Sequence, residues 1–205
     1  MTPPRQRAET GPLVSSERRR RQASYLRATA SALIWLSSAI PAMAATCEAE
    51  MAKASRLYGV PLGILYSVGL TETGRSGALD PFAMNIDGRA VHSASLDEAL
   101  ARYDAAVARG AKLIDIGCMQ INHYWHARDF ASVSEMFDVT RNVDYAAHFL
   151  SSLRASAGSW TGAVARYNAG PNNLTAQRAY VCAVIANMVQ SGVGAWTARA
   201  RAYCE

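Results

Sequence analysis

From residue 48 onward, apolar residues recur at intervals of three and four, the spacing of one helix face, with a single interruption. A first helix is expected over about 48–58, stopped at Gly59, because glycine takes the left-handed conformation that ends helices at little steric cost. Pro61 suits the first turn of a second helix running to about residue 73. Ser95-Leu-Asp-Glu98 has the form of a capping box, opening a helix that closes at Gly110. Later stripes are Val143/Ala146/Ala147/Leu150/Leu153, Trp160/Ala163/Val164/Tyr167 and Val181/Val184/Ile185/Met188. The interruption is Phe82–Ile86, Asp87-Gly88, Arg89–His92. It reads as a hairpin, since Asp-Gly supplies the positive φ angles of a type I′ turn. Lys112–Ile116 is expected to add a third short strand. The fold class that follows is α+β, mostly α-helical, with a small antiparallel hairpin or sheet beside the helical body. No internal repeat or low-complexity linker follows residue 45, so residues 45–205 are read as one domain.

The first 44 residues have a different character. They hold seven arginines, from Arg5 to Arg27, against Glu9 and Glu17, so the whole formal charge of +5 lies there. The remaining 161 residues carry 14 basic and 14 acidic side chains. A pI near 9.2 therefore gives no argument for nucleic acid as a partner. The arginines precede an apolar run, Ala28–Ile40, and then Pro41-Ala-Met-Ala44, the small-x-small pattern of a signal-peptidase site. Residues 1–44 are thus expected to be a signal peptide with a long basic n-region, delivering residues 45–205 to the periplasm. A retained anchor is the alternative, but the 13-residue run is shorter than the roughly 20 residues of a span. The arginine pairs lack a twin-arginine context, which points to general secretion.

All four cysteines, Cys47, Cys118, Cys182 and Cys204, lie after that site, and an even count in an exported chain suggests disulfides. Three connectivities are open. Because Cys47 and Cys204 bracket the domain, Cys47–Cys204 with Cys118–Cys182 is the favoured pair. A lipid-attached Cys47 is disfavoured, since Ala44 and Thr46 stand where such sites carry Leu and Gly or Ala. The spacings do not suit zinc: there is no CxxC, and His123 and His126 have no cysteine pair nearby.

Glu72 is the carboxylate that the pattern singles out. Leu65 and Val68, seven and four residues back, share its helical face, and a carboxylate ending an apolar stripe is partly desolvated. Desolvation raises its pKa toward the range a general acid needs. Periodicity alone leaves open a solvated glutamate at a helix end. Asp80, Asp87 and Asp115 are the candidate second acids; Asp80 and Asp87 are most simply turn residues, which leaves Asp115 as the one to test.

Leu70-Thr-Glu72-Thr-Gly74 resembles the catalytic Glu-Ser segment of the soluble lytic transglycosylase family. Gly117-Cys-Met-Gln-Ile-Asn122 resembles its Gly-Leu-Met-Gln segment, and Ala165-Arg-Tyr-Asn-Ala-Gly170 its Tyr-Asn-Ala-Gly segment. Tyr180 follows where that family places a tyrosine on the last helix. The four segments occur in family order, and the likeness covers about residues 48–190. It implies a lysozyme-like fold of the goose type, with Glu72 as the single catalytic glutamate. It also implies that Thr73, Met119, Gln120, Tyr167, Asn168 and Tyr180 bind substrate or close the site, and that no metal or cofactor takes part. Each of these has an ordinary structural role open to it: Met119 and Tyr167 as packing, Gln120 as a loop cap, Asn168 as part of a helix stop.

The chain departs from the family at Thr73, where serine is usual, and at Cys118, where leucine is usual. The interval from Glu72 to Gln120 is also long, resembling the transglycosylases of secretion, pilus and flagellar systems. The activity implied is cleavage of the MurNAc–GlcNAc β-1,4 bond of peptidoglycan with formation of 1,6-anhydro ends. A hydrolytic muramidase and a non-catalytic peptidoglycan-binding assembly module are the alternatives.

Overall fold

The computed structural model describes residues 45–74 and 77–205. The expected signal peptide, residues 1–44, lies outside the described residues. In chain order the elements are α1 (Cys47–Tyr58), α2 (Leu62–Thr73), β1 (Met84–Ile86), β2 (Arg89–Val91), α3 (Leu96–Ala108), β3 (Ile114–Ile116) and β4 (Ile121–Asn122). Then come α4 (His123–His126), a 3-10 turn (Ala127–Asp129), α5 (Val133–Phe137), α6 (Val139–Ala157), α7 (Trp160–Ala169), α8 (Leu174–Gln190) and α9 (Ala198–Cys204).

Local chemistry accounts for most boundaries. Thr46, Ser95, Ser132, Ser159, Asn173 and Thr197 each accept a backbone N–H at the start of their helix, an arrangement worth about 1 kcal/mol apiece. Glu98 completes the expected box one residue early, accepting from the N–H of Ala94. Gly59 ends α1 at φ 66°. Pro61 caps α2 from outside rather than occupying its first turn.

The helix α2 is the buried spine, with Leu65, Ser67, Val68 and Gly69 inaccessible. It packs between α1 and α8, while α6 lies against α1 and α7, and α7 against α8. A side chain at Gly69 would meet the end of Met51 from α1 at 2.5 Å, so glycine permits that approach. On the far side, Asn187 of α8 donates to Thr71 Oγ1 at 3.0 Å, pinning α8 beside the last turn of α2.

The expected hairpin forms with a two-residue turn: Ile86 pairs with Arg89, and Asp87 and Gly88 have φ of 47° and 87°. Its strands begin at Met84 rather than Phe82. The third strand is shorter than expected, Ile114–Ile116, and a fourth, Ile121–Asn122, extends the antiparallel sheet in the order β2-β1-β3-β4.

The disulfides correct the expected pairing. Cys47 is bonded to Cys118, and Cys182 to Cys204, with Cα separations of 5.9 and 5.7 Å. Bracketing a domain in sequence does not bring two cysteines within the roughly 7 Å a bridge requires. The first residue of α1 lies against the loop after β3, whereas α9 folds back on α8, where Arg178 also donates to the carbonyl of Tyr203 at 2.7 Å.

Candidate active site

A cleft of about 390 Å³ runs between the helical body and the sheet, and Glu72 lines it from the last turn of α2. The sheet side contributes Asn85, Asp87, Asp115, Gln120 and Asn122; the helical side contributes Phe149, Tyr167 and Asn168. Trp125 and His126 from α4 complete it. Glu72, Gln120, Tyr167 and Asn168, distant in sequence, therefore meet in one cavity.

The carboxyl group of Glu72 is held from behind. Tyr180, 8 % exposed on α8, donates its hydroxyl to Glu72 Oε1. Burial of the carboxylate lifts the pKa of Glu72 to about 7. The Tyr180 hydrogen bond opposes that rise and the nearby negative charge of Asp115 adds to it. Desolvation dominates because an ionised carboxylate loses more hydration here than one hydroxyl returns. Tyr180 is itself pushed well above the usual phenol range, by burial first and by the charge of Glu72 next, so it remains a donor. Near neutral pH the pair is a protonatable acid backed by a permanent hydrogen-bond donor.

The loop Gly117–Gln120 closes the base of the cleft, and its conformation is set by an asparagine that sequence reasoning did not single out. Asn142, 0 % exposed on α6, accepts the N–H of Met119 at 2.9 Å. Its amide donates to the carbonyls of Ile116 at 2.9 Å and Met136 at 2.8 Å. A side chain at Gly117 would come within 2.7 Å of that amide, and Gly117 has φ 79°, so glycine is required twice over. A signal for Asn142 is present in the sequence: it falls between Val139 and Ala146 on the apolar stripe of α6, where a polar group needs partners.

The expected substrate-binding residues divide. Gln120, held at φ 46°, directs its amide N–H groups to the carbonyls of Ala83 and Gly117 at 3.2 and 3.0 Å. Those carbonyls can only accept, so the amide oxygen of Gln120 is the group left for a ligand. Tyr167 lines the cleft with its ring while its hydroxyl donates to the carbonyl of Met119 at 2.8 Å. Asn168 is exposed at the rim. Thr73 and Met119 do not line the cleft. Thr73 is buried and its hydroxyl lies 3.0 Å from the carbonyl of Cys118, tying α2 to the loop. The Met119 side chain is 0 % exposed, and only its backbone carbonyl faces a site residue, because the turn that presents Gln120 points the preceding side chain into the core.

Asp115 lines the cleft and accepts from Asn122 Nδ2 at 2.6 Å. Its pKa is raised by burial, with the Asn122 bond acting against the rise.

This geometry coincides with a family assignment. The model of the transglycosylase SLT domain matches residues 51–187. The chain belongs to that family. Its mostly helical α+β domain with a small antiparallel sheet agrees with the lysozyme-like fold of SLT domains, and the match supports a transglycosylase-type activity with peptidoglycan as substrate. Comparison with curated proteins and with solved structures finds no match.

Proposed function

We propose that this SLT-domain protein is a periplasmic lytic transglycosylase that cleaves the β-1,4 bond between N-acetylmuramic acid and N-acetylglucosamine, with Glu72 as acid and then base. One observation carries the reading: a carboxyl group with a pKa near 7 lies in a cleft that also holds Gln120, Tyr167 and Asn168. Protonated Glu72 gives its proton to the glycosidic oxygen as the C1–O bond breaks, and the N-acetylglucosamine strand leaves as an alcohol. The acetamido carbonyl of the muramyl residue supports the positive charge that develops at C1, the substrate-assisted variant of glycoside cleavage. Ionised Glu72 then accepts the proton of the muramyl C6 hydroxyl as that oxygen attacks C1. A 1,6-anhydro ring results, Glu72 is protonated again, and no water is consumed.

Tyr180 supports the ionised state between the two transfers, since it already donates to Oε1. Asp115 fits a supporting role better than that of nucleophile, because Asn122 occupies one of its oxygens. Residues 1–44 fit an export signal, and the long interval between Glu72 and Gln120 fits service to a secretion, pilus or flagellar system.

The test is mass spectrometry of purified sacculi digested with the wild-type protein and with Glu72→Gln. Anhydro-ended fragments, one water lighter than reducing ends, are expected from the wild type alone. Reducing ends alone would make the protein a hydrolase, and identical profiles from both proteins would remove Glu72 from the chemistry.

A further inference from the structure

One part of the cleft is not used by the proposed reaction. The short helix α4 puts two consecutive aromatic residues, Trp125 and His126, on the cavity that contains Glu72. Trp125 is 64 % exposed, and its partner among the described residues is Tyr124, packed edge-on with ring centroids 4.6 Å apart. An indole presented to solvent in this way keeps a large flat apolar face unburied.

His126 is constrained more tightly. The hydroxyl of Tyr145 donates to Asp129 Oδ2 at 3.1 Å and also lies 2.8 Å from His126 Nδ1. A hydroxyl has one proton, and a carboxylate can only accept it. Both contacts are hydrogen bonds only when Nδ1 carries the hydrogen, and that tautomer leaves Nε2 as an acceptor on a ring that lines the cleft. Burial lowers the pKa of His126, which keeps the ring neutral and preserves that acceptor. The ring is braced by Phe149, 5.2 Å away, and Phe149 in turn lies 5.8 Å from Tyr167. An aromatic wall thus leads from the Glu72 end of the cleft to Trp125, facing the polar side chains of the sheet.

We infer that Trp125 and His126 form a separate sugar subsite, in which the indole stacks under the C–H face of an N-acetylhexosamine and His126 Nε2 accepts from its hydroxyl or amide N–H. A flat apolar platform beside one fixed acceptor suits a pyranose, which has an apolar face and a polar rim, and an open-sided cleft lets the strand continue beyond Glu72. The inference rests on the glycan reading above, but its test does not depend on turnover.

The full chain carrying Glu72→Gln is titrated with N-acetylglucosamine oligomers of increasing length, following tryptophan fluorescence and calorimetry. In that background Trp125→Ala is expected to weaken binding of the longer oligomers about tenfold, as loss of an aromatic anchor does, and to abolish the fluorescence change. Trp125→Tyr is expected to retain most of the affinity. His126→Phe, which keeps the ring and loses the acceptor, is expected to weaken binding about fivefold, and His126→Gln to recover part of it. In the catalytically intact chain, Trp125→Ala should raise KM with little change in kcat. Equal affinities for Trp125→Ala and its parent would overturn the subsite. If wild type fails to cut sacculi while Trp125-dependent binding persists, the catalytic reading fails and the subsite stands.

Discussion

The two sides of the cleft differ in how far their polar groups reach the cavity. On the helical side, the hydroxyls of Thr73, Tyr167 and Tyr180 all turn onto protein atoms: a carbonyl, a second carbonyl and the Glu72 carboxylate. On the sheet side, Asn85, Asp87, Asp115, Gln120 and Asn122 all line the cavity. The helical side is therefore dry around its one titrating group, with Asn168 exposed at the rim. The sheet side keeps local hydrogen bonds such as that of Asn122 to Asp115 and still lines the cavity with polar side chains. Proton chemistry calls for a desolvated acid and recognition of a hydroxylated polymer for accessible polar groups, so the proposed reaction would divide its labour between the two sides.

The largest expected effect tests the dry side. Glu72→Gln should lower the rate of sacculus cleavage by about 10²–10⁴-fold, the usual contribution of a general acid–base. The same change should stabilise the fold at neutral and alkaline pH. Because the folded pKa is raised, the protonated form is favoured by folding; stability from Glu72 is intact below about pH 4.5 and is lost as pH rises to about 7. Denaturant titrations should thus show Glu72→Gln more stable by up to about 3 kcal/mol at pH 8, with the advantage vanishing near pH 4. An advantage independent of pH would mean that the carboxyl group is not desolvated.

A smaller loss is expected where the two sides are joined. Asn142→Ala leaves the Met119 N–H and two buried carbonyls without partners, so it should cost about 2–3 kcal/mol in chemical denaturation and impair activity through the loop. Full activity with native stability would show that the loop holds itself.

The finest comparison is a pair of pH–rate profiles. Tyr180→Phe removes the hydrogen bond that lowers the Glu72 pKa, and should move the alkaline limb of kcat/KM above pH 7. Asp115→Asn removes a negative charge that raises it, and should move that limb the other way with only a modest change in rate. A loss for Asp115→Asn as large as that for Glu72→Gln would mean that both sides carry chemistry.

Much of this arrangement is legible in the sequence. Helical periodicity located α1, α2 and α3 within a residue or two, and Asp87-Gly88 located the hairpin, because caps and positive-φ turns are local events. Glu72, Gln120, Tyr167 and Asn168 were legible as motifs, though only folding brings them to one cavity. What was hidden depends on tertiary neighbours. The cysteine pairing follows from helix packing, which sequence order does not encode. The strand Ile121–Asn122 has two residues, too few for an alternation to be seen. Met119 fell inside the motif yet faces the core, since a turn at positive φ reverses side-chain direction over one residue. Trp125 carried no periodic signal at all, because α4 is only four residues long.

The bond between Cys47 and Cys118 makes a covalent ring that contains Glu72, Asn85, Asp87 and Asp115. By loop-closure entropy a ring of that length is worth about 4 kcal/mol, because it restricts the unfolded chain. Even with every helix melted, the acid and the leading edge of the sheet stay leashed within one circle, and reassembly becomes a search inside a small enclosure.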